Sequence, residues 1–119
     1  MQDRIAPVRE QMRRINVQAF LVSSRHHLRY LFGFTGSNGM GLITSDLCFF
    51  ITDWRYREQA REEVRHAEII IVYRDLFAGL KEKQILQPED RLGFEAQHLS
   101  FRAFSELQKN FDKIRFVAT

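Results

Sequence analysis

The strongest constraint on the fold is an alternation of short apolar runs with segments of helical periodicity. The apolar runs are short and rich in β-branched or aromatic residues, which is typical of buried strands. They cover residues 19–22, 40–44, 47–52, 68–73, 91–95 and 114–117. The run at residues 68–73 contains three consecutive Ile followed by Val, and it predicts a strand that is covered on both faces. Only Ser45 and Asp46 separate the second run from the third, so these two runs predict an antiparallel hairpin.

Between these runs, apolar residues recur at the three- and four-residue spacing of helices. Asp3 and Asn16 are placed to cap the two ends of the first helix, and Asp53 and Ser100 to begin two later ones. A short helix or turn is predicted over residues 26–32, and a further helix over residues 76–86. The apolar stripes of the first, third and last helices are Ile5, Val8, Met12 and Ile15; Tyr56, Ala60, Val64 and Ala67; and Phe101, Phe104, Leu107 and Phe111.

Strands that alternate with helices form a sheet with helices on both faces, and the hairpin makes the sheet mixed rather than purely parallel. We therefore expect an α/β protein with three layers, α/β/α, around a mixed sheet of about five to six strands. The chain has 119 residues, 45% apolar and 28% charged, which suits a single domain over residues 1–119. Because Thr119 directly follows a predicted strand, we also expect the natural protein to continue beyond it.

Composition excludes several classes of protein. Cys48 is the single cysteine, so the chain has no internal disulfide and no cysteine-based zinc site, and it suits a reducing compartment. No apolar run approaches the roughly 20 residues of a membrane span, so we expect a cytoplasmic protein without a membrane partner. The net charge of +3 is spread along the chain. Arg57, Arg61 and Arg65 interleave with glutamates on one predicted helix, which favours a solvated surface over nucleic-acid binding.

A glycine-rich loop spans residues 33–41 but matches neither phosphate-binding template. No Gly-Lys-Ser/Thr follows it, and its Gly39-x-Gly41 precedes a strand, whereas a dinucleotide fingerprint opens a helix. The glycines are better explained by backbone freedom in a long loop, and loops of this length in compact domains are often functional.

Two pairings of potential metal ligands occur, and neither predicts a metal site. His26 and His27 are adjacent and so point in different directions, while Glu95 and His98 lie at the end of a strand and lack a second pair. Cys48 lies in an apolar run, where a small buried side chain is expected rather than a nucleophile. We therefore predict no catalytic and no metal-binding residues in this chain.

Two long motifs resemble the N-terminal domain of the creatinase/prolidase family. Residues 28–37, Leu-Arg-Tyr-Leu-Phe-Gly-Phe-Thr-Gly-Ser, resemble the family's Asn-Ile-Arg-Tyr-Leu-Thr-Gly-Phe-Thr-Gly-Ser, with His27 at the position of its Asn and Phe32 at that of its first Thr. Residues 52–60, Thr-Asp-Trp-Arg-Tyr-Arg-Glu-Gln-Ala, resemble Thr-Asp-Gly-Arg-Tyr-x-Glu-Gln-Ala, with Trp54 in place of the Gly. The resemblance extends over nearly the whole chain, and it implies a creatinase N-terminal-domain-like fold with a ribonuclease H-like motif.

The resemblance also implies a function. In Xaa-Pro aminopeptidases and dipeptidases of this family, a second domain of pita-bread fold holds two divalent metal ions (Mn, Co or Zn) on two Asp, one His and two Glu. That domain would follow residue 119, so this chain alone should be inactive. The N-terminal domain would support a homo-oligomer, dimer or tetramer, and would wall the pocket of a neighbouring subunit for a proline-containing peptide. The residues that the resemblance assigns to this wall are Phe34, Thr35, Ser37, Asn38, Trp54, Arg55 and Tyr56.

An alternative from another class is a free-standing binding or interaction module that has this fold without peptidase activity. Within the peptidase interpretation, the motifs leave the choice between aminopeptidase and dipeptidase open, together with the metal and the preferred peptide.

Overall fold

The computed structural model describes residues 3–119, which form six strands and five α-helices. The strands are β1 (Ala19–Val22), β2 (Gly39–Thr44), β3 (Cys48–Asp53), β4 (Glu68–Val72), β5 (Arg91–Phe94) and β6 (Arg115–Ala118). The helices are α1 (Ala6–Ile15), α2 (Arg25–Phe32), α3 (Arg57–Glu63), α4 (Leu76–Glu82) and α5 (Phe101–Asn110). A single 3-10 turn, Trp54–Tyr56, joins β3 to α3.

All six strands form one mixed sheet in the order β4-β3-β2-β1-β5-β6. The hairpin β2–β3 is antiparallel, and β1 also pairs with β2 in antiparallel fashion. The remaining pairs, β3–β4, β1–β5 and β5–β6, are parallel. The predicted mixed α/β sheet and its hairpin are therefore confirmed. Because β1 and β5 run in parallel, the carboxyl ends of these two neighbours meet at the same edge of the sheet.

Two hydrophobic cores lie on opposite faces of the sheet, as alternating side chains of a strand require. Leu42 and Ile51 contribute to one core, which Leu80 of α4 and Leu107 of α5 cover. Ile43 and Phe50 contribute to the other, which α1, α2 and α3 cover through Met12, Leu31 and Ala60. The expected three layers follow from this division of apolar side chains.

The predicted helix boundaries hold where a side chain caps the backbone. Asp3 Oδ1 accepts hydrogen bonds from the N–H groups of Ile5 and Ala6, and Asn16 ends α1 in the left-handed conformation at φ 57°. Ser100 Oγ accepts from the N–H of Ala103 at the start of α5. Polar side chains at helix ends satisfy backbone groups that have no partner within the helix, which explains why these boundaries could be predicted.

Several elements depart from the pattern because tertiary contacts override local periodicity. α3 ends at Glu63, because Val64 turns extended and the N–H of Arg65 bonds to the carbonyl of Phe32. Ala67 and Arg65 therefore lie outside the helix, and the predicted arginine row is broken. α4 likewise ends at Glu82, four residues before its predicted end.

Two predicted apolar surfaces are more exposed than expected. β4 is an edge strand, so it pairs only with β3, and Ile69 and Ile71 on one of its faces are half-buried. Phe101, assigned to the apolar face of α5, is 85% exposed.

In the described part of the chain, no helix combines the length and the apolar character that a membrane crossing requires.

Candidate functional site

The glycine-rich loop starts where α2 ends, at a position that only glycine fits well. Gly33 has φ +83°, and its N–H donates to the carbonyl of Arg29 as the left-handed end of α2. A Cβ at this position would lie 2.8 Å from the backbone oxygen of Glu63, so α3 approaches the loop closely here. The loop proper covers residues 33–38, since Gly39 already belongs to β2.

One carboxylate holds the loop to α3. Glu63 accepts the N–H of Thr35 at 2.8 Å and the Thr35 hydroxyl at 2.9 and 3.1 Å. Gln59, one turn earlier, donates its amide to both Thr35 Oγ1 and Glu63 Oε1. Burial raises the pKa of the Glu63 carboxyl, but the hydrogen bonds from Thr35 and Gln59 outweigh it and leave that pKa below its usual range.

A second carboxylate, Asp53 at the end of β3, joins the turn to the loop. Its Oδ1 caps the 3-10 turn by accepting the N–H of Arg55, and the Arg55 guanidinium donates to both carboxylate oxygens at 2.9 and 3.1 Å. Asn38 Nδ2 donates to Oδ2 at 2.6 Å. The hydrogen bond from Arg55 is the main cause that holds the pKa of Asp53 well below its usual range, with Asn38 adding to it against the effect of burial.

Aromatic packing completes the contact between the two segments. The ring of Phe34 is buried between Phe50, at 4.6 Å between centroids, and Tyr56, at 5.8 Å. The Tyr56 hydroxyl forms a short hydrogen bond with Ser37 Oγ. A Cβ on Gly36 would lie 2.4 Å from the Phe34 ring, so this glycine allows the loop to fold down onto the aromatic pair.

The seven predicted wall residues therefore lie in two segments that the structure brings together. Four of them are exposed, Thr35, Ser37, Trp54 and Arg55. Trp54 is 47% exposed and the Arg55 side chain 64% exposed. Phe34 lies in the core, and the N–H of Thr35 donates a hydrogen bond to Glu63. The arrangement presents an indole and a guanidinium on a fixed turn.

The two motifs do not indicate which residues hold this arrangement. Gln59 lies within the second motif, yet the motif alone does not indicate that it bonds to Thr35. Glu63 lies beyond the motif, and its only signal is the four-residue spacing from Gln59 on one helix face. Asp53 was predicted as a cap, and the structure adds its bonds to Asn38 and to the Arg55 side chain.

Near the loop, a cleft of about 530 Å³ opens at the carboxyl end of β1. Ser37 and Asn38 line it on one side, and Ser23 and His98 on another. Asp75, the cap of α4, also faces the cleft. Two of the predicted wall residues are thus accessible from a concave surface.

A separate group of potential metal ligands lies beside this cleft. His27, Glu95 and His98 each offer a ligand atom, and these atoms lie within 4.8 Å of one another. His27 and the Glu95–His98 pair are far apart along the chain, and no local pattern connects them. The parallel pairing of β1 with β5 brings them together.

Comparison with known proteins gives one matching family and several relatives. The family model described as Creatinase/Prolidase N-terminal domain matches residues 4–119. A curated relative, the uncharacterized peptidase YqhT of Bacillus subtilis (strain 168), is 34% identical over 91 residues, which are 76% of this chain and 26% of that protein.

Solved structures agree with the family match. The Xaa-Pro dipeptidase from Bacillus anthracis superposes with a TM-score of 0.86 at 28% identity, over 97% of this chain and 32% of that one. The N-terminal domain of the cytoplasmic peptidase PepQ from Mycobacterium tuberculosis H37Rv gives a TM-score of 0.80 at 27% identity, over 94% of this chain and 88% of that one. The chain thus spans 26% and 32% of these two longer relatives and 88% of a relative solved as a single domain.

Proposed function

Because the matching family model spans residues 4–119, the chain belongs to the creatinase/prolidase N-terminal domain family, and we propose that it is the non-catalytic N-terminal domain of a dimetal-dependent Xaa-Pro peptidase. The peptidase would be of the aminopeptidase P or prolidase type and would act on proline-containing peptides. One observation carries this proposal: the chain matches its peptidase relatives over most of its own length but over only 26% and 32% of theirs.

We assign catalysis to a domain that follows residue 119. Two divalent ions (Mn, Co or Zn) in that domain would supply an activated water for cleavage of the bond before proline. In residues 3–119, the cluster of potential ligands consists of His27, Glu95 and His98. It contains no aspartate and a single carboxylate, which does not fit the two Asp, one His and two Glu of a dimetal centre. No step of peptide hydrolysis is therefore assigned to this chain.

This domain would contribute to the pocket through the turn Trp54–Tyr56, which Asp53 caps. Asp53 holds the Arg55 guanidinium through Nε and Nη2, so the side chain is oriented before any ligand arrives. Most of that side chain remains exposed, and a guanidinium is suited to a bidentate contact with a peptide carboxylate. Trp54 beside it offers an apolar surface. The Arg57 guanidinium lies over the Trp54 ring, 5.5 Å from the ring centroid.

An oligomer would bring this turn to the pocket of a neighbouring subunit. Exposed large apolar residues, among them Trp54, Tyr73 and Phe101, support a role in subunit contacts. A dimer and a tetramer are both compatible with this surface. We place the protein in the cytoplasm, as its relative PepQ is described.

Substitution of Arg55 in the longer enzyme tests the pocket-wall role. We expect Arg55→Ala to lower kcat/KM for an Xaa-Pro peptide by about tenfold or more, because a hydrogen bond to a charged partner is worth about 1.5–3 kcal/mol. Arg55→Lys should restore part of the loss. Arg14→Ala is the matched control, since Arg14 is similarly exposed on α1 and pairs with Glu10.

The pocket-wall role in a peptidase and the free-standing module predict different results. Unchanged kinetics in a folded Arg55→Ala enzyme would remove Arg55 from the pocket wall and leave it as a partner of Asp53. A protein that ends near residue 119 in its cells would instead favour the free-standing module.

A further inference from the structure

We propose that His27, Glu95 and His98 form a binding site for a single divalent transition-metal ion of the zinc class. The three side chains come from different places in the chain: His27 from the first turn of α2, Glu95 from the residue after β5, and His98 from the turn that follows. Their ligand atoms lie within 4.8 Å of one another. This site is independent of the proposed peptidase metals, which belong to another domain.

Backbone contacts hold Glu95 at the centre of the cluster. Its Oε1 accepts the N–H groups of Ser23 and Ser24 at 2.7 and 2.9 Å, which fixes the carboxylate against the end of β1. Its Oε2 faces His27 Nδ1 in a short hydrogen bond. The Glu95 side chain is only 9% exposed, so the carboxyl group is buried beside the imidazole. A buried carboxylate that is already oriented costs little reorganisation when it binds an ion.

The two histidines are also positioned by the backbone. The N–H of His27 donates to Ser24 Oγ, the cap of α2, and the N–H of His98 donates to the carbonyl of Glu95. Their rings lie 5.6 Å apart in an edge-to-face arrangement. Both rings reach solvent, so they can make the small rotations that bring three ligand atoms to the spacing of about 3.4 Å found around a tetrahedral zinc ion.

The donor set identifies the class of ion. Two imidazole nitrogens and one carboxylate oxygen suit zinc and its neighbours, and are a poor match for Ca²⁺ or Mg²⁺, which prefer oxygen ligands. Three protein ligands leave a fourth position for water. Arg4 borders His27 and Glu95 in one groove, and Arg25 borders His98 in the adjoining cleft, so positive charge limits the affinity.

His27 is the member of the cluster that lies at the start of the first motif. The family stretch that the first motif resembles has Asn at this position, and an Asn there would leave only Glu95 and His98. The substitution His27→Asn therefore removes one ligand and installs a residue that the same local fold accommodates. It is the sharpest variant for a test.

Zinc binding by the untagged 119-residue chain tests the proposal. We expect titration with zinc chloride at about pH 7.5 to show saturable binding of one ion per chain and a rise in Tm. His27→Asn and His98→Ala should each weaken binding by at least about tenfold. The matched control is His66→Asn, because His66 is exposed, outside the cluster and at φ 67°, a conformation that Asn tolerates.

A cobalt-loaded sample gives a second readout. Visible absorption of tetrahedral Co²⁺ should appear in the wild type and in His66→Asn and be lost in His27→Asn. Absence of saturable zinc binding in the folded wild type would overturn the proposal. So would equal binding by the wild type and by both cluster variants, since the ion would then lie elsewhere. Neither result bears on Arg55 or on the peptidase assignment.

Discussion

Asp53 connects three parts of the candidate site through one carboxylate. It caps the 3-10 turn, accepts the Arg55 guanidinium and accepts the Asn38 amide, while its own side chain is only 8% exposed. A buried carboxylate with charge-assisted hydrogen bonds is stabilised in its ionised form. Removal of that carboxylate would leave its donors without an acceptor, which lowers the free energy of unfolding.

The ionisation of Asp53 predicts a pH-dependent stability. The pKa of Asp53 is lower in the folded chain than in the unfolded one, so its contribution is complete above an unfolded value of about 3.9 and falls as the pH drops from there toward the folded pKa. We expect Asp53→Asn to lower the free energy of unfolding by about 1–2 kcal/mol at about pH 7, because it places an amide N–H₂ among donors. The deficit should shrink at about pH 3. Urea unfolding at both pH values measures it.

The matched control is Asp112→Asn, at an exposed aspartate, which should cost little at either pH. A deficit for Asp53→Asn that stays constant or grows between neutral and acid pH would refute the assignment of the effect to the Asp53 charge.

At the scale of elements, α3 and the glycine-rich loop depend on each other. Glu63, in the last turn of α3, binds both the N–H and the hydroxyl of Thr35, and its backbone oxygen lies against Gly33. Together with the Gln59 amide, this carboxylate holds the first half of the loop to α3.

Removal of the Glu63 carboxylate should loosen the loop without unfolding the sheet. We expect Glu63→Ala to raise the hydrogen-exchange rate of the Thr35 amide by about tenfold, since a lost hydrogen bond to a charged group is worth at least about 1.4 kcal/mol. Amide exchange followed by NMR measures the change. Glu62→Ala, at the exposed neighbour on the same helix, should leave that rate unaltered; equal effects of both variants would argue against a specific role of Glu63.

The same elements illustrate what local sequence can predict. The hairpin, the strands and the capped helix ends were predictable, because alternation and caps such as Asp3 and Ser100 act over a few residues. The end of α3 was not, because the N–H of Arg65 bonds to the distant Phe32. The Thr35–Glu63 contact and the His27–Glu95 contact were missed for the same reason: the partners are distant along the chain and only the sheet topology brings them together.

At the scale of the whole molecule, one sheet with helices on both faces organises the described residues. Both cores are filled from within the chain, and the described residues include no buried side-chain nitrogen or oxygen without a hydrogen-bond partner. Its solved relative PepQ also has an N-terminal domain of nearly the same extent. Such a domain can act as a unit beside a larger catalytic partner.

The proposal of a second, catalytic domain predicts the length of the natural protein. We expect an antibody raised against this chain to detect, in lysates of the source cells, a protein about three times as long, because the 91 residues aligned with one longer relative are 26% of it and 97% of this chain covers 32% of another. Immunoblotting against the purified 14.2 kDa chain as size standard measures it. A native band that comigrates with this standard would contradict the two-domain proposal.

The strand order has a consequence for how the domain acquires its structure. β2 and β3 pair across a two-residue turn, and β1 and β4 add to them from nearby in the chain, so residues 19–72 can assemble four adjacent strands through short connections. The β1–β5 pairing, in contrast, joins Ala19 to Leu92 and closes a long loop. Loop closure of this kind costs entropy before its contacts form, which slows folding. Glu95 and His98 reach the end of β1 only with this pairing, so the metal-ligand cluster would be completed late, as the two parts of the sheet join.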